Sequence, residues 1–199
     1  MAFTLFDASQ INGVLKLVGG TLAGILNMGA NKITGLANGT ASTDAVAFGQ
    51  VSGTRILQIV TGTTTTITSN QTTSYINSNL TATITPTSAS SRIRITVTSC
   101  VQPSTTTLPP TDIYTSIFRG GSSGTNLGDA TKGFVATSMA FVTAQADQFW
   151  VPLSMATYDS PATTSATVYT VCFRASNTQN NVICNSGNGL STIILEEIG

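Results

Sequence analysis

Few residues of this chain are of types that carry chemistry. Its 199 residues include no histidine, three cysteines, eight carboxylates and eight lysines and arginines. A chain without histidine has no Ser/His/Asp triad, no Cys/His dyad and no histidine-based metal site. The residue types therefore exclude most enzyme classes, and we expect no catalytic residue, no metal site and no cofactor.

A glycosidase needs only two carboxylates, held across one bond. Folding could bring Asp112, Asp129 and Asp159 together, although nothing in their spacing indicates a pair. Asp159 precedes Ser160-Pro161 and is more simply interpreted as a turn residue. A polysaccharide-degrading spike is therefore the least favoured function for this chain.

The three cysteines, Cys100, Cys172 and Cys184, form neither a disulfide framework nor a zinc knuckle, because their number is odd and their spacing is long. We interpret them as buried or half-buried thiols that pack as small apolar side chains. The alternative is a disulfide between Cys172 and Cys184 on neighbouring strands.

Charge is scarce along the whole chain. Charged residues make up 8% of the sequence, against roughly 25% in typical soluble domains, and the formal net charge is zero. A neutral, charge-poor chain has no electrostatic attraction for a phosphate backbone, so we expect no nucleic-acid partner. Net charge near zero favours association, so we expect obligate assembly with copies of the same chain.

The sequence shows no sign of membrane insertion or export. No apolar run approaches the ~18 residues of a membrane span. The first residues, MAFTLFD, lack the basic region and apolar stretch of a signal peptide. We therefore expect synthesis and folding in a cytoplasm.

The texture of the sequence changes near residue 57. Residues 1–57 alternate short apolar pairs with glycine, which argues against one continuous helix, and we interpret them as an extended N-terminal arm and stem. One short helix is predicted to begin near Asp44, capped by Ser42 or Thr43. Its apolar stripe would be Ala45, Val46, Phe48 and Val51.

Residues 58–199 are predicted to form a second domain, built from short strands and lacking helices. Strands are predicted at 55–61, 63–68, 80–85, 92–100, 112–119, 133–142, 146–156, 166–175, 182–184 and 192–198. Such a run is typical of an antiparallel, jelly-roll-like β-sandwich. We expect an all-β knob with exposed loops at 102–111, 120–132, 157–165 and 177–190.

Alternation within the strands predicts which side chains face the core. In strand 146–156 the core face would be Phe149, Val151, Leu153 and Met155, which leaves Trp150, the single tryptophan, on the outer face. An outward tryptophan favours a subunit interface, with a stacking platform for a sugar ring as the alternative.

Two other strands show the same preference for subunit contact. In strand 166–175 the core face would be Tyr169, Val171 and Phe173, while Val168, Cys172 and Arg174 face outward. In the last strand, Ile194 and Ile198 oppose Ile193 and Leu195, so both faces are apolar. A strand that is apolar on both faces indicates burial on both sides.

The segment NMGANKITGL at 27–36, followed by TDAV at 43–46, resembles a motif that recurs in bacteriophage tail-fibre proteins. The residues that carry the match are Met28, Gly29, Asn31, Lys32, Ile33, Asp44, Ala45 and Val46. In such fibres the motif lies in the thin stem before a distal module, and the fibres are generally homotrimers. After Val46 many fibres continue with a basic residue and a tyrosine, whereas this chain has AFGQ, which disfavours a long helical coiled coil.

The second half resembles the distal fibre domains common in phages of cyanobacteria and other aquatic hosts. The similarity rests on 80–86 with 90–95, on DSP at 159–161, on TVY at 167–169 and on the ending STIILEEI. The resemblance implies a structural virion protein, assembled in the host cytoplasm. Its most direct implication is a tail fibre that mediates host recognition and adhesion, and the alternative is a fibre or decoration protein on the capsid.

The resemblance also implies partners and sites. The arm would attach to other virion structural proteins, and the knob would contact a host surface glycan or protein. We predict that receptor contact involves Trp150, Tyr114 and Tyr158. The predicted contacts of the homotrimer are Trp150, Val168, Ile194 and Ile198.

Overall fold

The computed structural model describes residues 25, 27–41, 43–46, 55–103, 111–138, 150–179 and 181–199. The chain divides into two compact units, Met1–Val51 and Ser52–Gly199. The described residues of the first unit have turns and irregular backbone. They include all eight residues of the stem motif.

Asp44 closes a turn in the first unit. Its carboxylate accepts hydrogen bonds from the backbone N–H groups of Thr40 and Ala41, at 2.8 and 2.9 Å. These bonds lower the pKa of Asp44. Residues 43–46 are not helical, so the prediction of a helix beginning near Asp44 is wrong there, because the carboxylate binds N–H groups that precede it in the chain. The other predicted helix positions, Phe48 and Val51, lie outside the described residues.

The second unit consists of short strands and one 3-10 turn at Ser186–Asn188. The strands are β1 (Ile56–Thr64), β2 (Thr68–Asn70), β3 (Ile76–Ile84), β4 (Arg92–Gln102), β5 (Ile113–Arg119), β6 (Thr125–Asn126), β7 (Val135–Thr137), β8 (Val151–Asp159), β9 (Thr167–Ala175), β10 (Val182–Cys184) and β11 (Ser191–Ile198). All pairings between these strands are antiparallel. The predicted all-β, antiparallel class is therefore confirmed.

The strands form two sheets with one apolar core. In the first sheet β1 pairs with β11, β11 with β4, and β4 with β8. Strand β10 pairs with the last two residues of β4, and β2 pairs with β10. In the second sheet β9 lies between β3 and β5, and β6 and β7 pair with β5. One buried cluster contains side chains from both sheets. The arrangement is consistent with a β-sandwich.

The core follows the alternation of the sequence. In β4, Ile93, Ile95 and Val97 are fully buried, and burial of each such side chain stabilises the fold by about 1.5 to 3 kcal/mol. In β9 the predicted inward residues Tyr169 and Phe173 are also fully buried. The predicted inward faces of these two strands are confirmed.

Several strand boundaries differ from the predictions. Strand β1 is continuous from Ile56 to Thr64, whereas two strands were predicted, at 55–61 and 63–68. The short strand β2 then begins at Thr68. Strand β3 begins before residue 80, at Ile76, and its pairing with β9 shifts register between Asn77 and Thr81. Asn79 takes a left-handed conformation with φ of 65°, which lets the strand continue through this irregularity.

The loop predictions are also corrected in part. Strand β8 runs to Asp159, so the loop predicted at 157–165 begins too early. The predicted loops 120–132 and 177–190 contain β6 and β10, respectively. The strand predicted at 133–142 forms only over Val135–Thr137 among its described residues, and 139–142 lie outside them. Residues 104–110 and 146–149 also lie outside the described part of the chain.

Gly62 marks a close approach between the two sheets. A Cβ atom added to this residue of β1 would lie 1.9 Å from the carbonyl oxygen of Thr81 in β3. Only a residue without a side chain fits against that backbone. The glycine therefore allows β1 to continue where the sequence suggested a break.

Substitution of Gly62 tests this contact. Gly62→Ala forces two backbones apart, and we expect it to lower the free energy of unfolding by about 1 to 3 kcal/mol, as overpacking does elsewhere. Gly189→Ala is the matched control, because a Cβ there has no atom within 4 Å and φ is −72°. Urea unfolding of both variants is the measurement. Equal stability of the two variants would contradict the proposed role of Gly62.

Candidate functional site

The outer face of the first sheet carries most of the predicted subunit contacts. Across the strands Thr61 pairs with Ile194, Ile194 with Thr96, and Thr96 with Ala156, so the four form one row. Ile194 and Thr96 are half-buried, and Thr61 and Ala156 are exposed. This row has no charged side chain.

The neighbouring row of the same face contains one ion pair. Ile59 pairs with Glu196, Glu196 with Arg94, and Arg94 with Tyr158. The Nε atom of Arg94 lies 3.3 Å from Oε2 of Glu196, while the side chain of Ile59 is 59% exposed. Ile198 continues the face at the end of β11 and is half-buried. The face thus carries isoleucine and threonine around the Arg94–Glu196 ion pair, and Arg92, which pairs across the strands with Ile198, adds one positive charge.

Trp150 lies just before β8 and is 58% exposed, so its predicted outward orientation is confirmed. Its indole packs against the backbone of Gly187, where an added Cβ would lie 3.8 Å from the ring. Nearby, the Ser186 hydroxyl donates to the side-chain oxygen of Gln102 at 2.9 Å. The tryptophan is therefore held as a flat apolar surface beside polar groups.

The predicted receptor-binding residues do not come together. Trp150 and Tyr158 are eight residues apart along an extended segment, which separates them by roughly 26 Å. Tyr158 is 51% exposed and lies beneath the Arg92 guanidinium, 4.7 Å from its ring centre. Tyr114 belongs to β5 in the second sheet and is half-buried under Arg174. Three separate surfaces would be involved if all three side chains contact a receptor.

The predicted trimer contacts are divided between the two sheets. Ile194 and Ile198 share the outer face of the first sheet, and Trp150 lies at the far end of β8 from Tyr158. Val168 belongs to β9 of the second sheet and is half-buried. A single flat interface therefore does not contain all four of these residues.

Cys172 lies outside the core cluster, so it faces away from the core as predicted, and it is nevertheless fully buried. Its Sγ lies 3.4 Å from Oδ1 of Asn77, which also accepts a hydrogen bond from the backbone N–H of Ser122 at 3.0 Å. The loop that follows β5 therefore covers this part of the second sheet.

Asp159 is the last residue of β8, so its interpretation as a turn residue is wrong. Its carboxylate accepts two hydrogen bonds from Arg119 Nη1, at 2.8 and 3.0 Å, and one from the Tyr169 hydroxyl at 2.7 Å. Burial and the adjacent carboxylate raise the pKa of Tyr169 well above its usual range. Because Asp159 lies in the first sheet and both donors in the second, the three groups join the sheets.

The carboxylates of Asp129 and Asp159 have structural partners rather than each other. Asp129 accepts hydrogen bonds from the backbone N–H groups of Thr131 and Lys132 within its own loop. Neither Asp129 nor Asp159 has the other among its hydrogen-bond partners. Within the described ranges no group of three or more histidine, cysteine or acidic side chains is placed to hold a metal ion.

Glu197 is a fully buried carboxylate that the sequence analysis did not single out. It accepts hydrogen bonds from the Gln58 side-chain amide at 2.6 Å and from both the backbone N–H and the hydroxyl of Thr87 at 2.7 Å. Burial opposes its ionisation, but the hydrogen bonds from Gln58 and Thr87 outweigh burial and lower its pKa to about 2. Its position in the series 193, 195, 197 was a usable signal, since a carboxylate on a core face must be paired.

Asn185 is a second buried polar residue that sequence reasoning missed. Its amide nitrogen donates to the carbonyl oxygens of Thr66 and Ser78, at 2.9 and 2.6 Å, and its oxygen accepts from the Ser99 hydroxyl at 3.0 Å. Its φ is 60°, a left-handed conformation that asparagine tolerates better than most residues. Local sequence carries no signal for these long-range partners.

The cysteines are free, which confirms their interpretation as thiols. Cys100 is half-buried, and Cys172 and Cys184 are buried. Burial raises the pKa of Cys172 to about 12 and that of Cys184 to about 11. Thiols with such pKa values are weak nucleophiles at neutral pH. The alternative disulfide between Cys172 and Cys184 is not formed.

Comparisons with known proteins add no family to this description. No protein-family model matches the chain, and no curated protein sequence matches it. Among the described residues, no helix has both the length and the apolar character to span a membrane. The functional interpretation therefore rests on the fold and its contacts.

The pH dependence of stability tests the role of Glu197. Because its pKa is about 2 when folded and 4.5 is its ordinary value, its contribution is complete above about pH 4.5 and is lost as the pH falls towards 2. Glu197→Gln should lower the free energy of unfolding by about 2 to 4 kcal/mol at pH 7, since charged hydrogen bonds are lost. The substitution should also flatten the dependence of the free energy of unfolding on pH between pH 5 and 2.

The matched control is Glu196→Gln, one residue away on the outer face. Its partner Arg94 is half exposed, so the loss should stay below about 1 kcal/mol. Both variants are measured by urea unfolding at fixed protein concentration across the pH range. An unchanged acid profile in Glu197→Gln would show that this carboxylate does not set acid stability.

Proposed function

We propose that the chain is a homotrimeric virion fibre protein of a bacteriophage, most directly a tail fibre for host-cell recognition and adhesion. In this proposal 58–199 form a jelly-roll-like knob, and 1–57 form the arm and stem that attach to other virion proteins. The outer face of the first sheet carries the proposal. It presents Ile59, Ile194 and Ile198 in one chain beside Arg92, Arg94 and Glu196, and isoleucines grouped on one sheet face are typical of a surface that another chain covers.

The stem motif supports the same assembly. Ile25 is 99% exposed within one chain, and Ile33 and Val46 are each 60% exposed. Exposed apolar side chains of this size are typical of surfaces that other chains cover. Three copies around one axis would give these residues a shared apolar interior.

Placement of the predicted contacts fits a ring of three. Ile194 faces outward from the first sheet and Val168 belongs to the second. A ring with head-to-tail contacts joins two different surfaces of each subunit. We infer that the first sheet of one subunit packs against the Val168 end of the second sheet of the next, which leaves the Arg174 end of β9 uncovered.

Ile59→Lys tests the assembly without harming the single chain. Ile59 pairs across the strands with Glu196, so a lysine there gains an opposite charge in the monomer but places an unneeded charge in the interface. We expect the trimer to dissociate at least tenfold more readily, measured by sedimentation or light scattering. Ile67→Lys is the control, because Ile67 is 46% exposed but lies between β1 and β2, away from this face. A monomeric wild type would overturn the proposed assembly.

Adhesion is tested with purified protein, host cells and virions. The wild-type trimer should bind host cells saturably and slow virus adsorption, whereas the Ile59→Lys monomer should bind at least tenfold more weakly, because linked weak contacts sum through avidity. Gold-labelled antibody against the chain should mark the tail. Labelling of the capsid would instead identify a head fibre, and the absence of label from virions would overturn the proposal.

A further inference from the structure

A concave site on the second sheet contains an arginine, Arg174, that has no ion pair among the described residues. The site has a volume of about 570 Å³. Its walls come from the segment before β3, from the chain between β5 and β7, and from β9. The residues that line it include Ser74, Tyr75, Phe118, Ser122, Thr131 and Arg174.

Arg174 lies in this site and has no acidic partner among the described residues. Its Nη1 donates to the carbonyl oxygens of Thr73 and Ala175, at 3.3 and 3.4 Å, and its Nη2 donates to the carbonyl oxygen of Thr131. Carbonyl oxygens orient the guanidinium but leave its charge unneutralised. Three of the five N–H donors of an arginine are used in this way, so two are left for a ligand.

Two other arginines differ from Arg174 because each of them contacts a carboxylate. Arg119 is paired with Asp159 at 2.8 Å, and Arg94 with Glu196 at 3.3 Å. The carboxylate of Asp129, on the loop beside Arg174, is held by the N–H groups of its own loop instead. The described residues thus give two arginines an internal counter-charge and give Arg174 none.

Aromatic rings fix the position of the guanidinium. Arg174 lies 4.7 Å from the ring centre of Tyr114 and 5.4 Å from that of Tyr75. Tyr75 in turn packs on Phe118, with ring centres 5.1 Å apart. The result is a positioned charge at the edge of an apolar wall, bordered by the hydroxyl-bearing residues Ser74, Ser122 and Thr131.

These groups match one ligand chemistry. A planar guanidinium with free N–H donors favours a carboxylate, and hydroxyl groups exchange hydrogen bonds with sugar hydroxyls. We propose that the concave site around Arg174 binds a carboxylate-bearing saccharide, such as a uronic acid of a host surface polysaccharide. This proposal rests on the proposed adhesive function and assigns it a ligand class.

The test uses the full-length trimer and a defined ligand pair. One ligand is an oligosaccharide that contains glucuronic acid, and the other is the same oligosaccharide with its carboxyl groups reduced to alcohols. Calorimetric titration should show binding of the first and at least tenfold weaker binding of the second, because charge-assisted hydrogen bonds are lost. Equal binding of both, or no binding of either at millimolar concentration, would overturn the proposal.

Variants locate the binding site. Arg174→Gln should weaken binding of the glucuronic acid ligand at least tenfold. Arg174→Lys keeps the charge and is the variant to use if the first fails to fold, and it should weaken binding about threefold or more because the two-pronged geometry is lost. Arg92→Gln is the matched control, since Arg92 also lies 4.7 Å from a tyrosine ring but in the first sheet. Equal affinity of the wild type and both Arg174 variants would place the ligand elsewhere.

Cell adsorption with the same preparations separates the two proposals. If the trimer binds cells but neither saccharide, adhesion stands and the Arg174 site is wrong. If the trimer binds the acidic saccharide but no host cells, the site stands and the proposed adhesive role is wrong. Soluble acidic oligosaccharide should compete with cells when both proposals hold.

Discussion

Hydrogen bonding of the Asn185 side chain is the constraint on which the packing of the two sheets depends. One carboxamide binds the backbone of β3 in the second sheet, the connection after β1, and a serine of β4 in the first sheet. The residue is fully buried, so each unmet donor or acceptor would cost about 1 to 3 kcal/mol. The three segments are thereby fixed relative to one another, and this also fixes the position of the strands that follow them.

Two carboxylates also join separate segments of the second unit through hydrogen bonds. Asp159 binds Arg119 and Tyr169 across the sheets, and Glu197 binds Gln58 and Thr87 within and beside the first sheet. These two carboxylates thus have specific partners within the chain. The outer face of the first sheet has Arg92, Arg94 and Glu196 as its charged residues, and the isoleucines between them are the basis of the proposed assembly.

The sequence predicted the parts of the fold that depend on local alternation. Ile93, Ile95 and Val97 face the core as expected, and Trp150 faces outward, because side-chain direction in a strand follows from position alone. The continuity of β1 was missed, since it depends on how closely Thr81 approaches Gly62. The surroundings of Arg174 were equally out of reach, because its carbonyl partners lie about 100 and 40 residues away along the chain and non-local contacts leave no mark in local pattern.

The pairing of β11 between β1 and β4 has a consequence for synthesis. The first strand of the second unit, β1, pairs with the last, β11, where Ile56 lies opposite Ile198. Strand β4 pairs with the other edge of β11. The first sheet therefore cannot close until β11 has left the ribosome. Until then β1 and β4 keep open edges, and contacts of such large sequence separation form slowly. In the proposed assembly, closure of this sheet and association of the subunits are competing steps of one folding reaction.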